Sequence, residues 1–172
     1  MGYYILEFVV VLFLAAAQVA WAPGGRAQGL APDLVLVAVV LVGLFRGSEE
    51  GAWTGLAGAL CLGALTAAPL GGLFVGYMGC GVVTGMVGQQ VFSDRLALLM
   101  FVTFASLLAV RLVGLIFVPS PTFGAWLAST VLEGLFTALL ALPLGWIGRL
   151  ILHRPVSSLG SGLSSSILTR RG

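Results

Sequence analysis

The chain has 172 residues, of which 59% are hydrophobic and only 8% charged, with a mean hydropathy of +1.12. A soluble domain is about 25% charged, so this composition leaves too little polar surface for a water-soluble globule and makes lipid the expected solvent. The eight basic residues are all arginine, they are scattered, and the formal charge is +2, which excludes a nucleic-acid footprint. At about 20 apolar residues per crossing, the chain accommodates six membrane-spanning helices and leaves no loop long enough to fold by itself.

The first apolar segment, 3–21, has no basic residue before it and is stopped by Pro23-Gly24-Gly25; it reads as a retained helix rather than a cleaved leader. The second, 30–45, rises only about 24 Å, short for a hydrocarbon core of about 30 Å. Pro32 followed by Asp33 suits a helix start, with the carboxylate as cap. Segments three (51–70) and four (73–91) carry most of the glycines, including the four-apart pairs Gly51/Gly55, Gly72/Gly76 and Gly81/Gly85. Such spacing lets helix backbones approach closely in lipid. The fifth, 96–118, is bounded by Ser93-Asp94-Arg95 and Pro119-Ser120-Pro121, and the sixth, 124–152, contains Pro143, a predicted kink. Residues 153–172 are rich in serine and glycine and read as a flexible tail, with His153 at the membrane exit.

The predicted fold is therefore an all-α integral membrane protein, a compact bundle of six transmembrane helices. Six crossings put Arg46, Arg95, Arg149, Arg154, Arg170 and Arg171 on one side and Arg26 on the other, so both termini are predicted to be cytoplasmic. Asp33, the turn at Pro69 and the loop before Phe123 then lie on the outer face.

Charged groups inside a span are costly and face the bundle interior. Arg111 and Glu133 fall about 10 and 13 Å below the outer face on adjacent antiparallel helices, which predicts an intramembrane ion pair. The alternative is an Arg111 that reaches outward to headgroups beside a protonated or hydrogen-bonded Glu133. Glu7 and Gln18, eleven apart, share one face of the first helix. Cys61 and Cys80 read as small packing residues, and with one histidine they make no metal site. Glu49-Glu50 with Arg46 reads as a solvated turn. No Ser-His-Asp set, paired catalytic carboxylates or phosphate loop is present, so neither an enzyme nor a cofactor is expected.

The order of these features resembles the MreD family of bacterial rod shape-determining membrane proteins. The resemblance rests on Pro32-Asp33-Leu34-Val35-Leu36, Arg46-Gly47, the glycine-rich third helix, Pro69-Leu70-Gly71 and Gly76-Tyr77, and covers roughly residues 1–152. Members often carry an aspartate about six residues before the Pro-Leu-Gly turn; this chain has Gly63 there, so any role of that carboxylate does not transfer. The resemblance implies a non-enzymatic scaffold subunit of the cell-elongation machinery in the inner membrane. Such a subunit binds the single-span protein MreC and through it influences RodA, the class B penicillin-binding protein and peptidoglycan synthesis, with an indirect link to the MreB filament. Candidate partner contacts are Trp21, Asp33, Phe123 and Trp126 at the outer face and Gly51, Gly55, Gly72 and Gly76 on small-residue faces.

A competing reading is a vitamin-binding component of an energy-coupling-factor transporter, which a compact six-helix chain with Ala16 and Ala20 four apart also resembles. Its outer mouth, with Trp21, Arg26, Gln28, Asp33 and the stretch from Pro119 to Trp126, is sparsely polar for a solute site. An ion pathway needs a polar line, for which Glu7, Gln18, Arg111 and Glu133 are too few.

Overall fold

A computed structural model describes residues 2–21, 32–66, 69–90, 96–117 and 122–152; within these helices the side chains of 2–7, 21, 89–90, 96–98 and 148–152 lie outside the description. The described residues form six α-helices and no strand: α1 (Gly2–Trp21), α2 (Leu34–Arg46), α3 (Ser48–Thr66), α4 (Leu70–Gln90), α5 (Leu96–Phe117) and α6 (Phe123–Leu152). Three of them, α4, α5 and α6, contain stretches long and apolar enough to cross a membrane (Leu70–Gly88, Leu99–Phe117 and Phe123–Ile147). Phe8–Ala20 of α1 and Leu34–Arg46 of α2 are shorter apolar stretches.

The second helix is the centre of the bundle. Its sequence, LVLVAVVLVGLFR, is apolar on every side, and a helix hydrophobic all round is satisfied only when it is surrounded. Nine of its thirteen residues are buried, and it touches each of the other five helices. These follow around it as α1, α3, α4, α5 and α6, with every neighbouring pair in contact except α6 and α1, which do not meet among the described residues. Consecutive helices run in opposite directions, so α2, α4 and α6 start at one end, termed the upper end, and α1, α3 and α5 finish there.

Gly47 lets α2 turn directly into α3. Its φ of 104° is a backbone conformation that side chains resist, and Arg46 on one side of it bonds Glu50 on the other at 3.1 Å. Glu49 and Glu50, read from sequence as a solvated turn, are instead the first turn of α3, where acids favour the helix dipole. The turn between α3 and α4 falls at Pro69, as expected, but the helix limits lie about three to four residues before those of segments 51–70 and 73–91, since α3 ends at Thr66 and α4 begins at Leu70. Pro69 accounts for this: it has no N–H to continue α3, and it suits the entry to α4.

Glycines draw α2, α3 and α4 into backbone contact. A Cβ added to Gly81 would stand 2.1 Å from the Gly51 carbonyl oxygen, and one on Gly55 would stand 2.4 Å from that of Tyr77. Gly51 and Gly55, named above as candidate contacts with a partner chain, pack within the bundle against Gly81 and Tyr77 of α4. Gly72 and Gly76, the other two glycines named there, pack against Phe117 and Val110 of α5. α6 remains one helix through Pro143.

A candidate functional site at the buried start of the second helix

Thirteen residues give α2 a rise of about 20 Å, against about 33 Å for α5 and 45 Å for α6. At the lower end α2 is level with its neighbours, as Gly88 of α4 lies against Leu44. The shortfall is therefore all at the upper end, where α2 begins inside the bundle. There Asp33 meets Tyr77, which is seven residues, or about 10 Å, into α4.

A helix that starts in the interior exposes amides that no water can satisfy. Side chains from two other helices and the cap residue supply the acceptors. Asp33 Oδ1 accepts from Leu36 N at 3.0 Å, Gln18 Oε1 of α1 accepts from Val35 N at 3.2 Å, and Thr137 Oγ1 of α6 accepts from Asp33 N at 3.2 Å. Pro32 O receives Leu34 N at 3.1 Å. The second oxygen of Asp33 accepts from the hydroxyl of Tyr77, and both residues are almost fully buried, at 4% and 3% exposure.

Beside this cap, Arg111 Nη2 donates to Glu133 Oε1. Helix direction explains how they meet. Side chains lean toward the N-terminus of their own helix, so Arg111, about 9 Å below the upper end of α5, leans down while Glu133, about 15 Å below the start of α6, leans up. Glu133 is the enclosed partner, with 8% of its side chain exposed against 45% for Arg111.

Of the residues singled out from sequence, the structure brings Asp33, Arg111, Glu133 and Gln18 to this one region. Phe123 is exposed and stacks on the partly buried Trp126 at a centroid separation of 5.6 Å. The side chains of Glu7 and Trp21, Arg26, Gln28, the stretch 119–121 and the tail 153–172 lie outside the described residues. Sequence reasoning missed two members of the cap, Tyr77 and Thr137. A buried tyrosine needs a partner for its hydroxyl, but nothing in the spacing says that the partner is 44 residues away.

The cluster is closed on itself. No buried side-chain nitrogen or oxygen among the described residues lacks a hydrogen-bond partner, and no three His, Cys, Asp or Glu residues among them converge as a metal site. Cys61 and Cys80 are buried and unbridged, and Cys80 Sγ donates to Ser106 O at 3.4 Å. An exterior groove along α4, lined by Phe74, Val75, Met78, Gly79, Val82 and Val83, is wholly apolar. The arrangement is suited to fixing five helices at one level, with Arg111 as its only half-open charged member.

Comparison of the chain with family models, with curated proteins and with solved structures gives no match. The class defined by the fold is an all-helical protein with three helices able to cross a membrane, organised around a short central helix.

Proposed function

We propose that this chain is a non-enzymatic scaffold subunit of the bacterial cell-elongation machinery, crossing the cytoplasmic membrane six times with both termini on the cytoplasmic side. It binds an MreC-like single-span protein and acts through it on the RodA and class B penicillin-binding protein pair, with the MreB filament as an indirect partner. One observation carries the reading. Pro32-Asp33 and Gly76-Tyr77, two of the stretches on which the resemblance to the MreD family rests, meet in a polar contact that joins helices rather than opening to a solute. A chain whose interior polar groups are used to hold helices together works by presenting a rigid surface.

In this reading α1, α2 and α3 also cross the bilayer. The short α2 does so with its start capped by protein groups, the condition under which irregular backbone is tolerated at membrane depth. The upper end is the external face, where Phe123 and Trp126 sit at the lipid–water interface.

The test is purification of the tagged protein from its native membrane in mild detergent, with mass spectrometry of co-purifying proteins and small molecules. The reading predicts an MreC-like single-span protein at near-stoichiometric yield. Retention of a vitamin-like molecule, or of an ATPase-linked coupling subunit, overturns it in favour of a solute-binding transporter component.

A further inference from the structure

The three helices with stretches long and apolar enough to cross a membrane, α4, α5 and α6, are consecutive and pack in series. The two before them are less well equipped. α2 is 13 residues long, the length of a buried or re-entrant helix rather than of a spanning one. α3 opens on Glu49 and Glu50 and contains Gly51, Gly55, Gly58 and Gly63, which leaves it less apolar than a free-standing span. The seat of this pair is built by helices that follow it in the chain. Asp33, the cap of α2, is held by Tyr77 of α4 and Thr137 of α6. Gly43 of α2 lies against Thr84 and Gly81, and Gly51 and Gly55 of α3 lie against Gly81 and Tyr77. In lipid without α4 and α6, the start of α2 loses these partners, and irregular backbone at membrane depth is tolerated only inside protein.

The topology allows the pair to come late. α1 finishes and α4 starts at the upper end, so α4, α5 and α6 keep one orientation whether or not α2 and α3 lie across the membrane. The hinge that must pass through is compact, because Gly47 turns α2 into α3 in one residue. It is also partly neutralised: Arg46 and Glu50 pair at 3.1 Å, so the charges of Arg46, Glu49 and Glu50 sum to one, which lowers the cost of crossing.

We infer that the α2–α3 hairpin is a conditional element of the bundle, one that crosses the membrane only after α4, α5 and α6 are in place. It stays across because α4 and α6 hold it. Its hinge, with Arg46, Glu49 and Glu50, is therefore displayed at the lower face only by a completed bundle. The inference rests on the six-crossing reading proposed above.

The experiment follows Glu49→Cys and Thr122→Cys of the full chain in a Cys61→Ala/Cys80→Ala background, using a membrane-impermeant thiol reagent on intact cells and on inverted vesicles. Gly81→Ala, which drives a methyl into the Gly51 carbonyl, loosens the seat, and Gly81→Ala/Asp33→Ala also removes the cap. The inference predicts that Glu49→Cys labelling moves from inverted vesicles to intact cells, in part in the single variant and further in the double, while Thr122→Cys stays in intact cells. Gly134→Ala, which presses on Phe104 of α5, disturbs the bundle outside the seat and should leave Glu49→Cys in inverted vesicles. Should the variants not accumulate, a pulse of synthesis of the chain with Gly81 and Asp33 intact decides. Newly made Glu49→Cys should react in intact cells first and lose that reactivity with time, while Thr122→Cys keeps it. Glu49→Cys that never reacts in intact cells, that moves equally in Gly134→Ala, or that moves together with Thr122→Cys overturns the inference and leaves six crossings standing. Labelling of both positions from one side with Gly81 and Asp33 intact, at steady state, sinks the six-crossing reading and the inference with it.

Discussion

Tyr77→Phe removes a single oxygen and leaves the ring in place. Asp33 then keeps its bond from Leu36 N but loses the donor to its second oxygen. With both residues nearly fully enclosed, water does not take the vacated position. Hydrogen bonds between polar groups of membrane helices average about 0.6 kcal/mol, with a maximum of about 1.7, and leaving a buried acceptor unsatisfied costs about 1–3 kcal/mol. The substitution should therefore cost about 1–2 kcal/mol, or about 5- to 30-fold in the unfolding equilibrium. Asp33→Asn should cost less, since its amide keeps the cap and can still bond Tyr77. Asp33→Ala should cost about 3 kcal/mol or more, because it removes the cap and strands both the Leu36 amide and the Tyr77 hydroxyl. Reversible unfolding in mixed micelles, titrated with dodecyl sulfate, measures all three. Tyr77→Phe indistinguishable from the wild type, or Asp33→Ala no worse than Asp33→Asn, would refute the reasoning.

The ion pair predicts an asymmetry in the same assay: Arg111→Gln, which leaves the enclosed Glu133 unpaired, should cost about 3 kcal/mol, more than Glu133→Gln or the double variant. Gly81→Ala drives a methyl into the Gly51 carbonyl and should cost at least about 2 kcal/mol through forced separation of α3 and α4, seen as reduced folded yield; Gly114→Ala, which meets open space, should be neutral. At the α2–α3 hinge, Gly47→Ala places a side chain at φ 104° and should lower stability by about 1–3 kcal/mol, measured by the same titration.

The helices were largely legible in the sequence because apolar length and proline or glycine punctuation act locally. All six appear, and their boundaries shift mainly where an end depends on a neighbour. Leu34–Arg46 looked short for a bilayer, but shortness alone did not reveal that the missing length lies at the start. That follows only from the packing of Gly88 on Leu44. Asp33 was readable as a cap from Pro32-Asp33, and Arg111 with Glu133 from matched depths on adjacent helices. Tyr77 and Thr137 were not readable, because each contributes one side-chain oxygen whose partner is fixed by three-dimensional packing. The glycine pairs were ambiguous for a related reason: spacing marks a close contact without saying whether the other backbone belongs to the same chain.

The central claim, six crossings with a buried start to α2, makes opposite demands on two exposed positions, Glu49 at the α2–α3 hinge and Thr122 at the head of α6. In a Cys61→Ala/Cys80→Ala background, Glu49→Cys and Thr122→Cys are labelled with a membrane-impermeant thiol reagent in intact cells and in inverted vesicles. Six crossings predict that Thr122→Cys reacts only in intact cells and Glu49→Cys only in inverted vesicles. Labelling of both from the same side would mean that α2 and α3 enter and leave by one face, and would contradict the account.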